Sequence, residues 1–226
     1  MVMPRLSEVD HAKVSAAITA AEARSNGEIV AVTTELSDSY HDVALHWAVL
    51  VLIAVLAWAA ACPRCLQWWF DVLVGGWRPE PSLRELLTFL LVLAVLKFTA
   101  VLLILRYMPL RLVLTPGATK HRRVRRRAVT VFKAAAERRT VGRTGILIYL
   151  SMGERRAEIV ADEAILKVTD EHVWGGAMEA LLAEVRAGRP ADGIVAAIEK
   201  VGEVLAEHFP RTGADTNEIP DKLIEL

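Results

Sequence analysis

Two long apolar stretches dominate the hydropathy pattern of this chain, Val43 to Cys62 and Leu86 to Leu105. Each has about the ~20 residues that a helix needs to cross a bilayer. The segments before Tyr40 and after Thr119 instead mix polar and apolar positions with the periods of ordinary helices and strands. The pattern therefore predicts a water-soluble domain with a membrane hairpin inserted into its middle.

Outside the hairpin, periodicity predicts an ordered series of helices and strands. Ser7 is the expected N-cap of a first helix, which Asn26-Gly27 ends. The remaining elements are strands at Glu28–Thr34, Gly145–Ser151 and Arg156–Ala161, and helices at about Thr119–Arg139, Glu171–Ala187 and Ala191–His208. The first two strands and the helix between them form a βαβ unit, whose crossover is expected to be right-handed.

The predicted fold class is α/β. A small mixed sheet is sandwiched by helices, and a two-helix transmembrane hairpin is inserted after the first strand. The expected domains are 1–40 and 116–209 as two parts of one α/β domain, 41–115 as the hairpin with its outer loop, and 210–226 as an acidic tail.

Charge distribution predicts the orientation of the hairpin. The 226 residues have zero net charge, 54% are hydrophobic, and the mean hydropathy is +0.34. The basic residues that follow the second stretch are Arg106, Arg111, Lys120 and five arginines within 122–127, whereas the connection between the stretches has Arg64, Arg78 and Arg84. We therefore expect a multi-pass protein of a bacterial inner membrane, with both termini and the globular domain in the cytoplasm. No cleaved signal peptide is expected at the N-terminus.

The connection between the apolar stretches is short and rich in aromatic residues. Trp68, Trp69 and Trp77 are typical of the headgroup level. The pattern favours an interfacial helix over a ligand-binding external loop. Cys62 and Cys65 are spaced for a possible disulfide, which an oxidising outer compartment would allow. Two inert thiols, or a redox pair, are the alternatives.

Lys97 is a charged residue near the centre of the second stretch. A charge at that depth costs about 2.5–3.5 kcal/mol on insertion scales. One interpretation is a contact with an acidic or carbonyl group on a partner's membrane helix. The other is that Lys97 reaches toward the aqueous surface with its long side chain.

A basic run follows the second stretch, formed by Lys120, Arg122, Arg123, Arg125, Arg126 and Arg127. Anionic lipid headgroups attract such a run by ~1 kcal/mol per basic residue near the surface. Nucleic acid also attracts basic residues, but no aromatic side chains alternate with these arginines to stack on bases. We predict lipid as the partner and no nucleic acid.

Acidic residues cluster after the third strand: Asp162, Glu163, Asp170 and Glu171. Several carboxylates on loops suit calcium or magnesium, so these four form a candidate metal site. The competing interpretation is that they cap helices and favour the positive ends of helix dipoles. No catalytic motif was found, and no cofactor is expected beyond that possible calcium or magnesium ion.

The stretch TGILIYLSMGERRAEIVADEAI, Thr144 to Ile165, strongly resembles the TPM domain family. SEVDHAKVSAAITAAEARSNGEIVAV and the paired C-terminal helices with Gly193-Ile194 are similar to that family's first and last elements. The resemblance implies a small sheet sandwiched by helices. It also implies acid phosphatase activity, calcium binding, or a role in assembly or repair of membrane complexes, with LemA-like proteins as possible partners. Arg143 and Thr144 stand where relatives often carry an Asp-Asn pair.

The predicted function is that of an inner-membrane-anchored scaffold or accessory protein. It would serve the assembly, stability or quality control of a membrane protein complex through protein–protein interaction. The alternative is a metal-dependent acid phosphatase, which the TPM resemblance implies.

Overall fold

The computed structural model describes residues 6–74, 80–135, 144–169, 171–212 and 220–226, with the backbone alone for Glu171 and His172. The chain divides into two compact units. Residues 1–38 and 117–226 form the first, which we call the α/β unit. Residues 39–116 form the second, which we call the apolar unit.

The α/β unit is built on a four-stranded mixed sheet. Its strands are β1 (Glu28–Thr34), β2 (Gly145–Ser151), β3 (Arg156–Ala161) and β4 (Ile224–Glu225), in the spatial order β3-β2-β1-β4. β1 runs parallel to both β2 and β4, whereas β3 returns antiparallel to β2. The two central strands are therefore joined by a chain segment that contains the whole apolar unit.

Both central strands are buried on both faces, which explains their continuous apolar sequences. Side chains at alternate positions point to opposite faces. Ile29 and Ile148 contribute to the core with the N- and C-terminal helices. Val30 and Leu147 contribute to a separate core, which includes Val124 and Phe132 of the helix before β2. The sheet is thus sandwiched by helices, as predicted.

The helices of the α/β unit are α1 (Glu8–Glu22), α6 (Gly117–Ala135), α7 (Glu163–Leu166), α8 (Glu171–Arg186) and α9 (Pro190–His208). Ser7 caps α1 through a capping box with Asp10, as the sequence predicted. Helices α8 and α9 pack closely at Gly193, where an added Cβ would lie 2.7 Å from the carbonyl oxygen of Leu181. A side chain at that position would push the helices apart.

The apolar unit contains α2 (His41–Ala61), α3 (Pro63–Leu73), α4 (Leu83–Ile104) and α5 (Met108–Val113). Helices α2 and α4 are long and apolar enough to cross a membrane. The buried residues in these two helices are Val43 and four alanines, Ala44, Ala48, Ala59 and Ala94. Small side chains of this kind let two membrane helices approach closely.

The three predicted strands have the boundaries expected from the sequence, and the α/β fold class is confirmed. The short strand β4 was missed, because the end of the chain was expected to be an acidic tail. The short helices α5 and α7 were missed as well. Trp77, which the sequence predicts at the headgroup level, lies outside the described residues.

Candidate functional site

The structure shows different environments for the described members of the predicted metal site. Asp162 is buried, and its Oδ2 accepts a hydrogen bond from the backbone N–H of Gly145 at 3.0 Å. Glu163 is exposed and pairs with Lys167 at 2.9 Å. Asp170 and the side chain of Glu171 lie outside the described residues. In the part of the chain that the structure describes, no three His, Cys, Asp or Glu side chains are arranged to hold a metal ion.

Asp162 has a structural contact that makes a testable prediction. Asp162→Ala should lower the free energy of unfolding by about 1–3 kcal/mol, because it leaves the buried Gly145 N–H without an acceptor. Asp162→Asn keeps an acceptor oxygen and should cost much less. Urea denaturation followed by circular dichroism measures both. Glu163→Gln, at an exposed position, is the control. Equal losses in Asp162→Asn and Asp162→Ala would contradict the backbone role and show that the negative charge is needed.

Carboxyl groups from three separate parts of the α/β unit meet near the start of β1. Glu22 Oε1 accepts the backbone N–H of Ile29 at 2.8 Å. The carboxyls of Glu28 and Asp221 lie close enough to interact with that of Glu22, and Asp221 also accepts from the Thr19 hydroxyl at 2.7 Å. Burial, together with these two carboxyls, raises the pKa of Glu22 to about 9 from 4.5. Sequence reasoning missed this group because Asp221 lies about 200 residues away from Glu22 and Glu28 in the chain.

The raised pKa of Glu22 makes the stability of the α/β unit fall as pH rises from the acidic to the mildly alkaline range. Between about 4.5 and 9 the folded chain holds a proton on Glu22 that the unfolded chain has lost. Stability is therefore full below that window and falls as pH rises through it. Glu22→Gln should be more stable than wild type at pH 8, and the difference should widen toward pH 9. Thermal melts across this range measure the effect. Exposed Glu207→Gln is the control, and a parallel pH profile for Glu22→Gln and wild type would contradict the assignment.

A buried polar cluster lies where β1 and β2 end. The backbone N–H of Ser37 donates to Glu154 Oε1 at 2.8 Å, and the Ser151 hydroxyl donates to Glu154 Oε2. Ser37 also shares a 3.1 Å hydrogen bond with the Tyr149 hydroxyl. Burial raises the pKa of Tyr149. The Glu154 carboxylate therefore has a structural role: it holds the segment after β1 against the turn between β2 and β3.

The predicted basic run lies on α6, and the structure divides it. Arg122, Arg125, Arg126 and Arg127 are exposed. Arg123 is half-buried and pairs with Asp38 at 3.0 Å, and Lys120 is also half-buried. On the same helix, His121 lies 3.1 Å from Glu158 on β3. The surface available to an anionic partner is therefore the four exposed arginines, which we call the arginine face.

A groove of about 480 Å³ lies within the apolar unit between α2, α3 and α4. Trp58, Trp69 and Phe89 contribute aromatic walls, and Leu93 and Lys97 continue the lining along α4. Phe89, Leu93 and Lys97 are spaced by four residues, so they share one face of the helix. Lys97 is the charged member of an otherwise apolar lining.

A disulfide joins Cys62 and Cys65, whose Cα atoms are 5.3 Å apart. It links the end of α2 to the first turn of α3. The sequence contains two cysteines, so both are in this disulfide. The two residues that the sequence marked as a possible disulfide are therefore bonded in the structure.

Arg111 was counted from sequence as one of the charges that orient the hairpin, but the structure buries it. Its Nε donates to the Leu105 carbonyl at 2.8 Å, and its Nη1 donates to the Ser39 carbonyl at 2.7 Å. The Thr115 hydroxyl in turn donates to the Arg111 carbonyl at 2.8 Å. Arg111 thereby fastens the end of α4 to the residues just before α2. The position of Arg111 in the sequence, just after the apolar stretch, did not indicate this structural role.

Residues 108–204 match the family model of the TPM domain. The chain carries a TPM domain. No curated protein sequence matches the chain. Among solved structures, it is similar to the NMR structure of the BA42 protein from the psychrophilic bacterium Bizionia argentinensis. That similarity has a TM-score of 0.57 and 17% sequence identity, and covers 100% of this chain and 99% of that one. At this identity the likeness concerns the fold alone.

The TPM domain match begins at α5 and ends within α9. It leaves out α1 and β1, although β1 occupies the centre of the sheet between β2 and β4. Inside the match, the Thr144 hydroxyl donates to the Asn26 carbonyl at 2.9 Å, which joins the start of β2 to the residues before β1. Arg143, its neighbour in the predicted family motif, lies outside the described residues.

Proposed function

We propose that this TPM-domain protein is a bilayer-anchored accessory protein of a bacterial inner membrane. It would support the assembly, stability or quality control of a membrane protein complex. The α/β unit would be its cytoplasmic docking body, and the apolar unit its anchor. The observation that carries the proposal is the exposed apolar surface of α2 and α4.

That surface is large for a protein surrounded by water. Leu83, Leu91 and Leu96 of α4 are 73%, 64% and 62% exposed, and Ile53 of α2 is 60% exposed. Of the most apolar window of α4, 6% is buried by the rest of the chain. Contiguous apolar surface of this kind marks an interface with lipid or with another protein. Length, composition and exposure together favour lipid.

Two features support an orientation with both termini in the cytoplasm. The arginine face and Arg106 follow α4 in the chain, and basic residues near membrane helices stay on the cytoplasmic side. Arg111 does not support this orientation, because its guanidinium donates to carbonyls within the apolar unit. The Cys62–Cys65 disulfide at the opposite end of α2 suits an oxidising outer compartment. The arginine face would then attract anionic headgroups of the inner leaflet.

A LemA-like membrane protein is the candidate partner of the α/β unit that the TPM resemblance implies. No nucleic acid is proposed as a partner. The phosphatase alternative depends on the acids around Asp162. Glu163 pairs with Lys167, and Asp162 Oδ2 accepts a hydrogen bond from the Gly145 N–H, so no described contact favours that alternative.

The proposal is tested first by membrane extraction. The full chain should stay in the pellet after alkaline carbonate treatment, and a cysteine placed after Leu226 should be inaccessible to an impermeant thiol reagent in intact spheroplasts. In cells that lack the chain, native gels should show loss of a membrane complex. Wild type should restore that complex, whereas a variant lacking residues 39–116 should not.

Extraction by carbonate would exclude the anchor, and labelling of the C-terminal cysteine from outside would reverse the orientation. Turnover of a generic phosphate ester with calcium or magnesium, abolished by Asp162→Asn, would replace the accessory role by the phosphatase.

A further inference from the structure

Lys97 has no neutralising partner among the residues that the structure describes. It occupies the fifteenth position of the 22 residues in α4. With a rise of about 1.5 Å per residue, it lies about 10 Å from the C-terminal end of the helix. Among the described residues, the structure gives its ammonium group no hydrogen bond and no ion pair. Placing a charged lysine at this depth in a membrane costs free energy, which an acidic or polar group from another molecule must offset.

The direction of the Cα–Cβ bond of Lys97 argues against its side chain reaching the nearer membrane surface. The Cα–Cβ bonds of a helix tilt toward its N-terminus. The N-terminal direction of α4 leads away from the nearer helix end and toward Leu93 and Phe89. These two residues line the groove with Lys97. The side chain therefore leaves the backbone toward the centre of the apolar unit and the aromatic walls.

The carboxylates described in the apolar unit lie at other levels. Asp42 is in the first turn of α2, nine residues and about 14 Å before Val51, the first of the four residues of that helix that line the groove. Glu85 is in the first turn of α4 and is held in a capping box by Ser82. Asp71 and Glu80 belong to α3 and the connection after it. None of these described acids shares the level of Lys97.

Neither a second copy of this chain nor a lipid phosphate can supply the negative charge opposite Lys97. A second copy of this chain would bring another Lys97 to the same level, and like charges repel. Lipid phosphates lie at the membrane surfaces, outside a hydrocarbon core of about 30 Å. A group that meets Lys97 must instead be carried into the core by a segment that itself spans the membrane.

We propose that the groove between α2, α3 and α4 receives the transmembrane helix of a different protein. That helix carries an Asp or Glu near its middle, which pairs with Lys97, and its apolar side chains pack against Trp58, Trp69 and Phe89. The inference rests on the proposed membrane anchoring and deepens it, because it names the chemical class of the partner. Polar contacts between membrane helices contribute about 0.6–2 kcal/mol.

The test uses the full chain reconstituted in phosphatidylcholine vesicles and synthetic transmembrane peptides of about 20 residues. The peptides are Leu/Ala sequences with Asp, Leu or Lys at the central position and a dansyl group nearby. Energy transfer from the tryptophans of the chain to dansyl reports association. Wild type should bind the central-Asp peptide about tenfold more tightly than the central-Leu peptide, a difference of about 1.4 kcal/mol.

Variants separate the charge from its position. Lys97→Leu should remove the preference for Asp, and Lys97→Glu should transfer it to the central-Lys peptide. The matched control combines Leu96→Lys with Lys97→Leu. It keeps the composition of α4 but moves the ammonium about 100° around the helix, so its preference for Asp should also be lost. Circular dichroism confirms that each variant keeps its helices.

Equal binding of the Asp and Leu peptides by wild type would overturn the inference. So would retention of the preference in Lys97→Leu, or Lys97-dependent quenching of the groove tryptophans by brominated phosphatidylglycerol in place of peptide binding. The last result would identify a lipid as the occupant. None of these outcomes changes the carbonate extraction or the native gels, so the proposed function and this inference fail separately.

Discussion

Ile148→Ala is expected to lower the free energy of unfolding of the α/β unit by about 2–5 kcal/mol. Ile148 is 1% exposed, lies on the central strand β2, and belongs to the core with α1, α8 and α9. The truncation removes apolar contacts and leaves a cavity. Because helices pack against both faces of the sheet, the neighbouring side chains relax into that cavity only partly. Val9→Ala, at a position that is 76% exposed, is the control and should change stability little.

Hydrogen exchange followed by mass spectrometry is the sharpest measurement for this variant. Ile148 is paired in register with Ala31 on β1. The two residues are separated in sequence by the whole apolar unit. If β1 and β2 form one cooperative sheet, amide exchange should accelerate in both strands. Acceleration confined to β2 would show that the segments before and after the apolar unit open independently.

Arg111→Met is expected to destabilise the apolar unit by about 3 kcal/mol or more. Methionine retains much of the apolar stem but leaves the carbonyls of Leu105 and Ser39 without their donor. Hydrogen bonds from a charged donor contribute about 1.5–3 kcal/mol each, and two are lost. Thermal melting of the full chain in a mild detergent, followed by helical circular dichroism, measures the effect.

Two further variants isolate the reason for the effect of Arg111→Met. Arg106→Met removes the same charge five residues earlier, where the side chain is exposed, and should leave the melting temperature almost unchanged. Arg111→Lys keeps the charge but not the planar fork that reaches two carbonyls, so an intermediate loss is expected. Equal melting temperatures for the Arg106 and Arg111 variants would show that Arg111 contributes charge alone.

The sequence predicted the main elements of the α/β unit because their patterns are local. Continuous apolar runs mark β1 and β2 as strands covered on both faces, and apolar residues at helical spacing mark α6, α8 and α9. The family stretch from Thr144 to Ile165 then indicated the TPM domain, which the match over residues 108–204 confirmed. β4 escaped prediction because two residues carry no periodicity.

The candidate sites were less predictable, because they depend on which side chains meet. Counting charges placed Arg111 and Arg123 with the surface cations, yet one is buried among carbonyls and the other pairs with Asp38. The carboxyl of Asp221 joins those of Glu22 and Glu28 from the other end of the chain, so no spacing rule predicts the group. Lys97 was different, because a charge in an apolar stretch stands out wherever it lies.

The sequence by itself determined the class of this protein: an α/β domain interrupted after its first strand by two apolar helices. Hydrophobic period and run length are properties of neighbouring residues, and they decide which faces avoid water. Only the tertiary structure decided that Arg111 holds the base of the apolar unit, that Glu22 keeps a proton, and that Lys97 lines an aromatic groove. Each of these depends on contacts between separate elements of the chain, and only folding brings those elements together.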